Sequence, residues 1–341
     1  MSRATRARRI ATAAAYGGGG IGALGMVGGA ALYGLIVSQT KLARRRIPQA
    51  TVLAPAAHGT TWTVGDVSPD LPPLQMAILG DSTAAGYGVQ LDPDTPGVRI
   101  ACGISAVAER PVQLVNVALV GAKSMSLAAQ LAEIPSGLDL AVIMIGANDV
   151  THRIKPAESV RHLGAAVTAL RAQGAQVVVG TCPDLGTIRP LAQPLRSMAR
   201  RLSRNLAAAQ TIAVVEAGGR TVSLGDLLGP LFAERQDMFG EDQFHPSAAG
   251  YAAAAEAMLP SCLDALGLDT QTSAVGPLAT QRARPVAKAA AKAAAHPGTE
   301  VAATEVHGRA GGRRGRWARL LRRRPQPPTT HQVEHVAASS A

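Results

Sequence analysis

Only three cysteines occur in the 341 residues, Cys102, Cys182 and Cys262. No two are spaced as metal ligands, and three cannot all pair within one chain. A zinc site has no sequence support. One disulfide with one free thiol, or three small buried apolar residues, are both compatible with the spacing. Aromatic residues are almost as scarce, at 3%. That leaves little material for a large aromatic binding groove. Acidic residues are absent from positions 1–46, which carry eight Lys/Arg, and only three Glu stand against twelve Lys/Arg in 270–341. The two ends thus hold +8 and +9, and the total of +11 leaves −6 for residues 47–269. A pI near 10.4 points to nucleic acid only when the charge lies on the folded domain. Here the basicity sits at the ends, so nucleic acid is not the expected partner.

Charge is also missing from Ile10 to Thr40, 31 residues bracketed by Arg3, Arg6, Arg8, Arg9 and by Lys41, Arg44, Arg45, Arg46. The stretch is long enough to cross a bilayer, although nine of its residues are glycine. No small-residue cleavage site follows promptly. Residues 1–46 are therefore expected to be a signal anchor, with residues 10–40 in the membrane. The flanking charges tie, and the expected orientation places the following domain outside, at the cell envelope. Gly20-Ile21-Gly22-Ala23-Leu24-Gly25 matches a dinucleotide fingerprint, but no strand precedes it and no βαβ unit encloses it. Residues 47–73, Pro-rich and irregular, read as a linker. Residues 269–341 read as a disordered Ala-, Pro- and Arg-rich tail. Its run Arg313–Arg324 suits an anionic envelope surface.

Between them, apolar runs of strand length alternate with helical stretches. The runs are Gln75–Leu79, Gln113–Val117, Leu138–Ile145, Ala175–Thr181 and Thr211–Glu216. Helices are expected over about 98–110, 126–134, 156–173, 192–209 and 247–266, with Pro156 and Ser247 as starts and Gly174 as a stop. Such alternation predicts an α/β domain over 74–268 with a parallel sheet covered by helices on both faces.

Four short blocks carry chemistry. Gly80-Asp81-Ser82 ends the first run and presents a hydroxyl at the carboxyl end of a strand, where α/β folds bind ligands. A hydroxyl needs a base to become a nucleophile, and His245 is the candidate. Asp242, three residues earlier, can hold the imidazole tautomer and stabilise its cation. Gly121 can bring a backbone N–H close to a developing oxyanion, and so can Ser82 itself. Asn148 in Gly146-Ala147-Asn148-Asp149 can offer a side-chain amide. Judged singly, Gly121 and Asn148 fit turns and Asp242 fits a cap. Asp81 and Asp149 are expected to hold their loops. His152 and Cys182-Pro183-Asp184 could line a pocket.

Taken in order, these blocks resemble the SGNH/GDSL hydrolase (esterase/lipase) family over about residues 74–267. The resemblance implies a three-layer α/β/α sandwich with a five-stranded parallel sheet, the flavodoxin-like SGNH hydrolase fold. It implies Ser82 as nucleophile, His245 as base and Asp242 as its orienting acid. It implies Ser82, Gly121 and Asn148 as the oxyanion hole, and no metal or organic cofactor. The expected function is a serine esterase acting on short acyl esters of a lipid or acylated glycan. Alternatives are an O-acyltransferase or deacetylase acting on envelope glycans, and a non-catalytic membrane-tethered binding protein.

Overall fold

The computed structural model describes residues 32–43, 45, 54–55, 59–65, 67, 71–268 and 300–301. The sheet is built from β1 (Thr60–Trp62), β2 (Leu74–Gly80), β3 (Val112–Asn116), β4 (Leu140–Met144), β5 (Gln176–Gly180), β6 (Arg220–Val222) and β7 (Glu300–Val301). The helices used below are α1 (Ser82–Ala85), α2 (Pro96–Ala108), α3 (Leu127–Ala132), α4 (Ala147–Thr151), α5 (Pro156–Ala172), α6 (Leu195–Glu216), α7 (Leu224–Glu234) and α8 (Ala248–Ala265).

The strands run in the order β1-β3-β2-β4-β5-β6-β7. Its five central members, β3, β2, β4, β5 and β6, are parallel. The sheet exceeds the five strands expected, because β1 and β7 add antiparallel edges. β1 lies inside the stretch 47–73 that reads as irregular linker. Three residues, Thr-Thr-Trp, are too few to show alternation in the sequence.

Period-two alternation splits the core into two layers. Met76, Ile78, Leu140, Val142 and Met144 face α2 and α8 on one side of the sheet. Ala77, Leu79, Ala141, Ile143 and Val179 face α3, α5 and α6 on the other. The expected α/β/α layering is thus present. Pro156 opens α5 at its first turn, and Ser247 caps α8 by accepting from the Gly250 N–H. Gly174, at φ 92°, ends the turn after α5.

One expected strand is a helix. Thr211–Glu216 continues α6 to Glu216, and the fifth parallel strand is Arg220–Val222. The β-branched run favours a strand locally. The longer spacing decides otherwise: Leu195, Ala199, Ser203, Leu206, Gln210, Val214 and Val215 recur at helical intervals and are all buried. Tertiary burial of that stripe outweighs local propensity.

Part of the expected membrane span is also placed differently. Residues 32–43 are helical, and Gln39 donates to the Gln193 carbonyl (2.6 Å) and accepts from the Leu195 N–H (3.2 Å). Ala43 is buried. The end of the span thus packs on the domain. Residues 10–31 lie outside the described residues, as does nearly all of the tail 269–341. Among the described residues no helix is long and apolar enough to cross a membrane.

The parallel order places β2 between β3 and β4, so the direction of winding across the sheet reverses there. Ligands bind outside the carboxyl ends of strands at such a switch point. Gly80 and Gly146 end the two facing strand segments, both with φ near +139° and +138°. A Cβ at Gly80 would stand 1.9 Å from the Met144 carbonyl oxygen, so only glycine lets β2 close onto β4 there.

Candidate active site

Asp81 follows Gly80 and caps α1. Its carboxylate accepts from the Thr83 N–H (2.9 Å) and, across the switch point, from the Gly146 N–H (3.3 Å). Its own N–H donates to the Met144 carbonyl (3.0 Å). One side chain therefore ties the turn after β2 to the turn after β4, which fixes Ser82 relative to Asn148. Two buried glutamines complete the frame. Gln130 brackets Gly80, donating to its carbonyl (2.8 Å) and accepting from its N–H (2.9 Å). Gln210 donates to the Ile145 carbonyl (2.9 Å) and accepts from the Cys182 N–H (2.7 Å), joining β4 to β5. Sequence inspection missed both, because a lone helical glutamine gives no signal until its burial is known.

Burial lifts the Asp81 pKa from 3.8 to about 6, against the lowering effect of its hydrogen bonds. The folded value lies above the unfolded one. Its stabilising contribution is therefore complete below about pH 4 and is lost as pH rises through about 6. At about 1.36 kcal/mol per unit, the change approaches 3 kcal/mol. The unfolding free-energy difference between wild type and Asp81→Asn should drift by about that amount between pH 4 and 7. Urea unfolding at several pH values measures it. A constant difference would mean that Asp81 titrates as an ordinary carboxyl.

Ser82 is the first residue of α1, 6% exposed. Its Oγ lies 3.0 Å from His245 Nε2. His245 Nδ1 lies 2.5 Å from Asp242 Oδ2. The other Asp242 oxygen accepts from the backbone N–H groups of Phe244 and His245, each at 2.9 Å. Burial pushes the Asp242 pKa up, but the His245 ring and these two N–H groups outweigh it and hold the carboxyl below its ordinary value. The tight loop needs Gln243 at φ 53°, an uncommon conformation for a side chain that is not glycine. The loop is pinned on its other side, where the Gly240 N–H donates to the His245 carbonyl (2.8 Å) and the Ser247 N–H to the Met238 carbonyl (2.9 Å). Tyr87 and Phe244 meet the imidazole edge-on, at centroid distances of 4.7 and 4.9 Å. The buried Tyr251 hydroxyl donates to the Tyr87 carbonyl at 2.8 Å. These rings limit rotation of His245. Their place in the sequence gave no hint of it.

Gly121 and Asn148 line the same cleft as Ser82 and His245. Gly121 has φ 82° and open space around it. Asn148 sits in α4, and its carbonyl accepts from His152 Nδ1 at 2.9 Å. Asp149 points away and holds its loop, accepting from the Ser124 N–H (3.1 Å) and Ser159 Oγ (2.8 Å). Pro183 and Asp184 line a cavity beside Ser82, with Asp184 paired to Arg200 and Arg204. Cys182 is buried next to Gly146, and burial holds its thiol well above the usual range. All three cysteines are free thiols. Among the described residues no group of three or more His, Cys, Asp or Glu could hold a metal ion.

The five residues singled out in the sequence are therefore brought to one place. A hydroxyl, an imidazole and a carboxylate stand in hydrogen-bonded sequence, the arrangement that moves a proton off a serine and stabilises the cation formed.

Residues 78–253 match the model of the GDSL-like lipase/acylhydrolase family. The GDSL-like esterase Rv1075c of Mycobacterium tuberculosis is 42% identical over 241 residues, which cover 68% of this chain and 77% of that protein. Among solved structures, TesA is 22% identical, covering 56% of this chain and 99% of that one, with a TM-score of 0.44. Axe2, an acetylxylan esterase from Geobacillus stearothermophilus, is 19% identical, covering 57% and 95%, with a TM-score of 0.43. On the family match and the 42% identity, the chain belongs to the GDSL-like lipase/acylhydrolase family, as a hydrolase of the esterase type.

Proposed function

We propose that the chain is a serine esterase that cleaves short-chain acyl esters through an acyl-enzyme. The observation that carries this reading is His245 bridging Ser82 and Asp242 through its two ring nitrogens at 3.0 and 2.5 Å. His245 Nε2 takes the Ser82 proton as Oγ attacks the ester carbonyl. The same proton then goes to the departing alkoxide. Water repeats the sequence on the acyl-enzyme, releasing the acid and restoring Ser82. Asp242 holds Nδ1 protonated, so that Nε2 presents its lone pair to Ser82. The backbone N–H groups of Ser82 and Gly121 and the Asn148 amide serve the oxyanion. Each such donor is typically worth about 10²–10³ in rate.

The uncharged residues 10–31 support attachment to a membrane, with the domain at the cell envelope, where acylated lipids and glycans are available substrates.

The test uses the full chain with p-nitrophenyl acetate and butyrate, and a fluorophosphonate that reacts with activated serines. The expected result is ester turnover, with one phosphonyl group per chain found by mass spectrometry on the peptide containing Ser82. A folded chain that neither turns over ester nor takes the label would overturn the reading and favour a binding protein.

A further inference from the structure

Two cavities open from the Ser82–His245 pair, and they differ about tenfold in volume. One is a small pocket of about 80 Å³ whose wall includes Met144, Leu224, Leu228, Phe232, Phe239 and Ala254. The other is a much larger cleft of about 780 Å³. Its walls combine apolar Val120, Leu191, Met198 and Leu202 with polar His152 and Arg153. Ser82, Asn148 and His245 border both. The divide between the two cavities therefore falls at the serine.

We propose that the small pocket receives the acyl group and the large cleft receives the alcohol. The substrates are then esters of a short acid with a bulky amphiphilic alcohol. The proposal rests on the serine-esterase reading and adds the substrate class to it. Its argument is the order of bond changes. Attack forms the bond from Ser82 Oγ to the carbonyl carbon and breaks the bond from that carbon to the alkoxy oxygen. The alkoxide leaves with the proton held by His245, while the acyl group stays on the enzyme. A group that must depart before water enters needs a route to solvent, and the cleft gives one. A group retained through both steps can occupy a narrow pocket matched to its size.

Size and polarity agree with that assignment. One buried water needs about 10–15 Å³ of such space, so the pocket holds roughly five to eight water-sized groups, an acyl chain of about two to six carbons. Its apolar wall gains from each methylene that fits, about fourfold in kcat/KM at the usual transfer value. Leu228 and Gly229, neighbours on α7, both line the pocket. A Cβ at Gly229 would make only ordinary contact, 3.8 Å from the Asp184 Cβ, and its φ is not left-handed. A side chain can therefore be added there without backbone strain, inside a helix that tolerates leucine better than glycine. The cleft's exposed rim, with Val120 52% and Leu202 39% exposed, suits an alcohol that carries hydrocarbon as well as hydroxyls.

The experiment takes the full chain through p-nitrophenyl esters from acetate to decanoate, then through acetates of ethanol and 1-octanol. The wild type should prefer four to six carbons, lose at least about tenfold by decanoate, and favour octyl over ethyl acetate. Leu228→Ala should extend the accepted acyl chain by about two carbons. Gly229→Leu should lower the ratio of hexanoate to acetate turnover at least about tenfold. Met198→Trp, which narrows the cleft, should lower octyl relative to ethyl acetate turnover by about tenfold and leave the acyl ranking in place. The partition is overturned by a flat acyl profile in the wild type. It is equally overturned if both α7 variants leave the profile where it was, or if they change alcohol preference instead. Loss of all ester turnover and of fluorophosphonate labelling in the wild type would sink the esterase reading itself, and the partition with it.

Discussion

Replacing Ser82 with alanine lowers kcat/KM for p-nitrophenyl butyrate by at least about 10⁴-fold. The fold should survive. Ser82 occupies the first position of α1, where alanine is a good helix former, and the one side-chain bond lost, to His245 at 3.0 Å, costs on the order of 1 kcal/mol. The chemistry should not survive, since no oxygen then stands where His245 Nε2 can deprotonate it. What remains is water attacking a carbonyl still polarised by the Gly121 and Asn148 donors, worth about 10³ over solution. His245→Ala should cost about as much. The double variant should be no worse than either single one, because a nucleophile without its base and a base without its nucleophile fail at the same step. Steady-state kinetics with circular dichroism as the folding control measures all three. A Ser82→Ala enzyme with more than a tenth of wild-type activity would remove Ser82 from the chemistry.

The sequence makes the centre of this molecule readable and its edges much less so. Four of the five expected strands fall within one or two residues of β2, β3, β4 and β5, because buried parallel strands are continuous apolar runs. β6 was missed for two reasons. Its three residues, Arg-Thr-Val, carry almost no pattern, and the β-branched run before it competes for the assignment. β1 and β7 are shorter than any reliable window. α7, Leu224–Glu234, went unread because its Gly225, Gly229 and Pro230 interrupt the helical signal. That omission hid one wall of the small pocket beside Ser82. Ser82, Gly121, Asn148, Asp242 and His245 were legible because they fall in four short blocks that follow one another in the order of one family's motifs, two of them opened by the turn glycines Gly80 and Gly146. The frame that holds them was not legible. Gln130, Gln210, Tyr87 and Tyr251 act through long-range contacts, and local pattern carries no trace of those. The expected membrane span shows the opposite failure. A missing charge marks residues 10–40 as apolar, but it does not reveal that Gln39 pairs with the backbone at Gln193 and Leu195.

Asp242→Asn separates two jobs that one carboxylate performs. Oδ1 accepts from the Phe244 and His245 N–H groups and shapes the loop, whereas Oδ2 faces His245 Nδ1. Asparagine keeps an oxygen for the first job, so the loop should close as before and unfolding should change little. In the second position it places an NH₂ group, a donor, against Nδ1. The ring must then accept at Nδ1 and carry its proton on Nε2, turned towards Ser82. An imidazole in that tautomer cannot remove the serine proton. The expected loss is about 10²–10⁴ in kcat, smaller than for Ser82→Ala or His245→Ala because a minor population with the correct tautomer persists. KM should move much less. Asp242→Ala removes both jobs and should add a stability loss of about 1–3 kcal/mol, since two loop N–H groups lose their acceptor. Comparing kcat with urea unfolding for the two variants distinguishes a group that orients the base from one that only caps a turn. If Asp242→Asn keeps wild-type kcat, the carboxylate is a turn cap, and the tautomer of His245 must be fixed by the edge-on packing of Tyr87 and Phe244 alone.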